Sequence, residues 1–161
     1  MKKVFLVAVM AIVSVAYAAA QPRAIGGNLG YGVSFSYQHN LGAANMIDLT
    51  AEIPGFAGIG ATCTYDWINP FGTSIPWDQR GSWNWAMGVG AGLGMYNFNA
   101  PCLYIGAVGH VGIAYDFWFP MELSLDYRPN IGVAGIGKNY ITSFNVAGLY
   151  TGISLGIRYL F

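Results

Sequence analysis

Charge is what this chain has least of: Asp, Glu, Lys and Arg together make up 9% of its 161 residues, against roughly 25% in an ordinary soluble domain. Seven basic residues balance seven acidic ones, so there is no basic stripe to neutralise a phosphate backbone, and nucleic acid is not an expected partner. Charged heptads are missing, which excludes a coiled coil. Long apolar runs are missing as well. The two best stretches for a spanning helix, 83–96 and 103–119, fail because the first is short and glycine-rich and the second carries His110 and Asp116. Histidine and cysteine occur only twice each. What is abundant is apolar and aromatic surface, 55% and 16% of residues, far more than a disordered chain carries. Glycine, at 23 residues, runs at about twice the usual ~7%. These figures leave a very apolar soluble domain or a membrane protein.

Residues 1–20 read as a cleaved export signal. Lys2 and Lys3 form a positive start, Val4 to Val15 an apolar stretch, and Ala16-Tyr17-Ala18 or Ala18-Ala19-Ala20 a small-residue cleavage site. About a dozen apolar residues fall short of the ~20 that a spanning helix needs. The domain is then 21–161, one unit by length.

Period two dominates that domain. In Leu29-Gly30-Tyr31-Gly32-Val33-Ser34-Phe35-Ser36-Tyr37-Gln38 every odd position is large and apolar and every even one is Gly or polar. The same parity returns at 47–53, 59–67, 83–94, 123–128 and 153–159, which marks strands. All seven acidic residues fall on even positions, as do most glycines. In a soluble sandwich the polar face would be rich in Lys and Glu. Here it is Gly, Ser, Thr and a few charges, which suits a crowded hydrated interior, while the odd face is continuous and aromatic enough for lipid. The pattern predicts an all-β fold, an antiparallel up-and-down transmembrane β-barrel. It must be closed, because an open sheet edge in hydrocarbon leaves backbone groups unsatisfied.

Seven strands are expected at 28–38, 45–53, 57–67, 82–96, 103–117, 121–128 and 147–161, and an even count calls for an eighth. The stretch 131–137, entered by a turn at Pro129-Asn130, is the candidate. A two-residue turn there would reverse the parity, so either the turn has three residues or 121–137 is one strand and the missing partner lies elsewhere. The first choice puts the connection 68–81 outside the cell and short turns at 54–56, 97–102 and 129–130 in the periplasm. Tyr65, Trp67, Trp83 and Trp85 flank that connection, Phe117 and Phe119 mark another rim, and Tyr159 and Phe161 a third, as expected of rings at a bilayer interface.

Alternating Ile153, Leu155, Ile157, Tyr159 and Phe161 resemble the C-terminal signal read by the assembly machinery of Gram-negative outer membranes. With Ser36-Tyr37-Gln38-His39, Phe117-Trp118-Phe119-Pro120, Leu123-Ser124-Leu125-Asp126-Tyr127-Arg128-Pro129 and Gly156-Ile157-Arg158-Tyr159, the chain over 23–161 resembles small eight-stranded OmpA/OmpX-like and porin-like outer membrane protein β-barrels, especially those of Bacteroidetes. The resemblance implies an outer-membrane location, and it implies that the strand through Leu123 to Pro129 is the penultimate one.

Parity assigns to the lumen Asp48, Glu52, Asp66, His110, Asp116, Glu122, Asp126, Arg128 and Arg158. Buried charges cost several kcal/mol each unless paired, so Arg128 and Arg158 are expected to meet carboxylates such as Glu52 or Asp126. An eight-stranded barrel has room for side chains and little else. The expected role is therefore structural or one of surface interaction, with a narrow porin-like channel as the alternative. Inward glycines leave space for rings such as Tyr104 and Tyr150. A lipid A-modifying enzyme would need His39 or His110 beside a nucleophile, but Ser36 and His39 differ in parity, so no catalytic residue is assigned. His110 with Asp116 or Tyr104 lacks compact ligand spacing, so no metal or other cofactor is expected. Cys63 faces outward and Cys102 has the opposite parity, so the two are not expected to bridge. The expected partners are outer-membrane lipids, the assembly machinery through Tyr159 and Phe161, and an extracellular partner, glycan or phage through 68–81 with Pro70, Phe71, Trp77 and Arg80.

Overall fold

The structure is a computed structural model that describes residues 21–42, 44–72, 80–96, 101–136, 139–144 and 152–161. The expected export signal, Trp77, Asp78 and Tyr150 lie outside the described residues. Ten extended segments follow one another: β1 Gln21–Leu29, β2 Gly32–Gly42, β3 Asn45–Pro54, β4 Gly58–Pro70, β5 Ser82–Tyr96, β6 Cys102–Asp116, β7 Met121–Tyr127, β8 Asn130–Ile136, β9 Asn139–Phe144 and β10 Ile153–Leu160. All pairings are antiparallel, and the ring β1-β2-β3-β4-β5-β6-β7-β10 closes where β10 meets β1, with Ala24 opposite Leu160 and Leu29 opposite Leu155. This is a closed eight-stranded antiparallel barrel, the fold class expected from the alternation. Among the described residues no helix is long and apolar enough to cross a membrane.

Two strand expectations need correction. The first concerns Pro129-Asn130, which is not a turn. Tyr127 lies opposite Val111 and Asn130 opposite Val108 in one unbroken register along β6, and the Gly109 N–H donates to the Pro129 carbonyl at 2.7 Å. Segments β7 and β8 are therefore one continuous strand, interrupted only because proline has no N–H to return to the ladder. The candidate eighth strand at 131–137 is the second half of the seventh, and parity carries through Arg128 and Asn130, both buried. β8 in turn pairs with β9, and β7 with β10, so the strand through Leu123 to Pro129 is followed by one last edge. The order implied by the family resemblance holds.

The second correction supplies the missing partner, which is β1. Its outward positions are Ile25, Gly27 and Leu29, and the glycine in the middle erases the apolar mark that identified the other strands. These two changes also invert the barrel relative to the expected topology. Gln21 pairs with Asn40, Asn45 with Trp67, Pro70 with Asn84, Ser82 with Asp116 and Tyr159 with Met121, all at one end. The long connection after β4 therefore leaves from the same end as Arg23 and Phe161. An arrangement with 68–81 outside and both of those ends in the periplasm does not fit this strand order.

At the opposite end the described turns are tight. The turn Pro54-Gly55-Phe56-Ala57 closes with the Ala57 N–H donating to the Pro54 carbonyl at 3.1 Å. Its two central residues are left-handed, φ 55° at Gly55 and 56° at Phe56, as a type I′ hairpin turn requires.

Burial is inverted relative to a soluble domain. Among the described residues the buried apolar side chains are few, Ala24, Met46, Pro54, Tyr104 and Val108, whereas Asp48, Asp66, Glu122, Arg128, Arg158 and thirteen other polar residues are buried. Leu29, Phe35, Val89, Leu93, Ile105 and Leu155 stand exposed on the outer wall.

Candidate functional site: an ion-paired lumen

A strand turns every second side chain inward, and closure of the ring then brings together residues far apart in sequence. Arg158 on β10 occupies the centre. Its Nη1 donates to Glu122 Oε1 at 2.8 Å and Ser124 Oγ at 2.6 Å, Nη2 to Asp126 Oδ2 at 3.0 Å and Asn28 Oδ1 at 2.9 Å, and Nε to Ser36 Oγ at 3.3 Å. A guanidinium presents its donors in a fixed fork, and β1, β2 and β7 between them supply acceptors along all of it. Arg128, following β7, donates to Asp48 Oδ2 at 3.1 Å and Thr50 Oγ1 at 2.9 Å on the far wall. Asp48 also accepts from Ser36 at 3.2 Å, Gln38 at 3.2 Å and Thr50 at 3.0 Å.

His110 on β6 sits between two carboxylates, Nδ1 at 3.0 Å from Asp66 Oδ1 and Nε2 at 3.1 Å from Asp126 Oδ1. Two glycines make this contact feasible. Asp66, Gly88 and His110 lie side by side on β4, β5 and β6, and a Cβ on Gly88 would fall 1.7 Å from Asp66 Oδ1. A Cβ on Gly112 would fall 2.6 Å from Asp126 Oδ1. Towards the tight-turn end Tyr104 fills the lumen over Gly60 and Gly94, whose missing Cβ atoms would lie 2.3 and 2.1 Å from its hydroxyl. Glycine on the inner face is here the space that larger neighbours occupy.

All nine residues assigned to the lumen by parity lie inside, eight of them buried and Asp116 partly so, near the end that carries Arg23. Arg128 takes Asp48, and Arg158 takes Glu122 and Asp126. Glu52 is buried on β3, in register with Ser34 and Gly60. His110 bonds Asp66 and Asp126, not the Asp116 or Tyr104 weighed as metal partners, and the described residues contain no cluster of His, Cys, Asp and Glu able to hold a metal. Ser36 belongs to the lumen network, while His39 on the outer parity has the Tyr37 hydroxyl 3.3 Å from Nδ1. Cys63 and Cys102 are free thiols.

Arg23 was missed by parity. It is an odd residue, and a bulge between Pro22 and Ala24 shifts the register of β1 against β2, which lets its guanidinium turn inward. There Nη2 donates to Glu122 Oε2 at 2.6 Å, Nη1 donates to Gln38, and Asp116 lies 3.9 Å away. Asn84 donates to Asp116 at 2.7 Å. The signal that could have found it is the sequence Pro-Arg at the head of a strand, since proline favours strand starts and bulges.

Between Arg23, His110, Glu122, Asp126 and Arg158 the free space open to the centre of a water molecule is about 20 Å³, and one water needs ~10–15 Å³. Among the described residues, this space in the charged layer has room for about one water.

Outside, aromatic rings gather at one end. Tyr65 and Trp67 meet edge to face at 5.2 Å, Trp83 and Tyr115 lie 5.0 Å apart, Phe117 and Phe119 stack at 5.0 Å, and Tyr159 and Phe161 stand 5.3 Å apart. This is the end that carries Arg23 and the connection 71–81.

The architecture thus defines a class, a small closed barrel that is apolar outside and ion-paired within. Comparison with protein-family models, curated proteins and solved structures finds no match to the chain.

Proposed function

We propose that the chain is an outer-membrane β-barrel with a structural or surface-interaction role, its lumen sealed by the charged network. The observation that carries this is the inverted distribution of side chains. An outer wall of exposed Leu, Ile, Val and Phe suits hydrocarbon, and a closed ring is the form in which strands cross it. The ring of Trp, Tyr and Phe at one end supports a bilayer interface there. The likeness to OmpA/OmpX-like barrels belongs to the same proposal. With Arg23 and Phe161 on the periplasmic side, the connection that leaves β4 at Pro70 starts on that side, and the described turns Gly30-Tyr31 and Pro54 to Ala57 face outward as surface available to a partner. Tyr159 and Phe161, both exposed, are the contact offered to the assembly machinery.

Two measurements test the proposal. Heat-modifiable gel mobility after refolding into detergent or lipid is expected of a membrane barrel, and helical circular dichroism under those conditions would refute it. In planar bilayers the refolded protein is expected to be silent, because the space beside Arg158 holds little more than one water. Steady unitary steps altered by Arg158→Ala would replace the sealed lumen with a channel.

A further inference from the structure

Of the four carboxylates that surround Arg158, Arg128 and His110, namely Asp48, Asp66, Glu122 and Asp126, each has a cation of its own only when His110 carries a charge. Asp48 has Arg128, Asp126 has Arg158 and Glu122 has Arg23. Asp66 is wholly buried. Besides the Thr64 hydroxyl at 2.9 Å, its partner among the described residues is His110. A buried carboxylate without a cation is expensive. Geometry makes the same demand independently. A neutral imidazole has one N–H and one lone pair, yet here each ring nitrogen faces a carboxylate oxygen at 3.0 or 3.1 Å. A lone pair directed at a carboxylate oxygen repels it, whereas an N–H on each nitrogen satisfies both.

We propose that the lumen binds a proton in an Asp66–His110–Asp126 bridge, one ring N–H donating to each carboxylate, and that this proton fastens β4 to β7 across β5 and β6. The proton comes from bulk water, and its uptake gives Asp66 a cation, as Asp48, Glu122 and Asp126 have in arginines. The groups facing His110 are Asp66 from β4, Asp126 from β7 and Arg128 just beyond β7. Behind them stand Arg158 of β10 against Asp126 and Asp48 of β3 against Arg128. β5 contributes only Gly88, whose missing side chain is the gap the bridge spans. The two arginines are already engaged by other carboxylates, so neither can replace the proton at Asp66. The inference rests on the lumen geometry and not on the membrane location.

The test is a nuclear magnetic resonance spectrum of the chain refolded in detergent micelles with isotope-labelled histidine. The chain has two histidines, and comparison with His39→Gln assigns the His110 signals. At neutral pH two ring N–H signals from His110 are expected, both nitrogens at imidazolium shifts and both slow to exchange with solvent. One unprotonated ring nitrogen at neutral pH overturns the proposal whatever the barrel's location. A second readout separates the proton from packing. Raising the pH until one ring N–H disappears should lower the denaturant midpoint of wild type and leave that of His110→Gln unmoved over the same interval. Parallel loss in both proteins would overturn the fastening role.

Discussion

Gly88→Ala adds one methyl group to the inner wall, and its consequence is fixed by the structure on both sides of β5. The new Cβ would lie 1.7 Å from Asp66 Oδ1 and 2.5 Å from the backbone oxygen of Tyr65, where ordinary contact begins near 3.4 Å. The carboxylate can swing away, but the Tyr65 carbonyl belongs to the sheet and cannot move without bending β4. Overpacking of this kind costs ~1–3 kcal/mol. Displacing Asp66 also separates it from His110, and breaking a buried pair costs ~3–5 kcal/mol. The two effects share one network and do not simply add, so the expected loss is about 4 kcal/mol, governed by the pair. Equilibrium denaturant unfolding in micelles or vesicles, followed by tryptophan emission and by gel mobility, measures it. Gly72→Ala is the control, since nothing among the described residues lies within 4 Å of its Cβ position, and a change within ~0.5 kcal/mol is expected there. A Gly88→Ala protein within about 1 kcal/mol of wild type, on the scale of a common substitution, would refute the bridging of Asp66 and His110 over a glycine gap.

Other outcomes follow from the same geometry. Arg158→Met should destabilise the barrel by ~3–5 kcal/mol in the same unfolding assay, because Glu122 and Asp126 are left buried together; Arg158→Lys should recover little, since one ammonium cannot reproduce the fork. Leu49→Arg on the outer wall should cost ~2–4 kcal/mol in lipid vesicles if that wall meets hydrocarbon, and an unchanged stability would count against membrane insertion. In vesicles a membrane-permeant maleimide should label Cys63 of a Cys102→Ser protein while a charged, water-soluble thiol reagent should not; equal labelling by both would place β4 in water.

The fold class was legible because each long strand repeats one rule, apolar at odd positions and small or polar at even ones. That rule needs a large side chain on the outer face, and β1 breaks it at Gly27, so the first strand went unseen. It also assumes that proline ends a strand. Pro129 does not, because it loses only its own N–H while its carbonyl still accepts from Gly109, and two half-strands were counted where one passes through. The lumen residues were recovered because charge and parity coincide. Their pairing was not, since parity says which face a residue takes and not its height along the barrel. Asp66 and His110 meet only because β4, β5 and β6 are aligned so that Gly88 falls between them. Arg23 escaped for the opposite reason, as a one-residue bulge reversed the rule locally.

Three charged contacts of the lumen join positions 44, 80 and 99 residues apart on strands that are not neighbours in sequence, so no hairpin on its own can form them. A sheet that had assembled from β2 to β6 would expose Asp48, Asp66 and His110 without Arg128 or Arg158. If the outer wall meets hydrocarbon, such a half-built sheet would carry unpaired ions, and a wall missing β1 would leave Glu122 with Arg158 alone. Neutralisation of the lumen is therefore completed only when the ring closes. The network works as a completion check on assembly, penalising each open intermediate and leaving the finished cylinder as the first arrangement in which every one of these charges is answered.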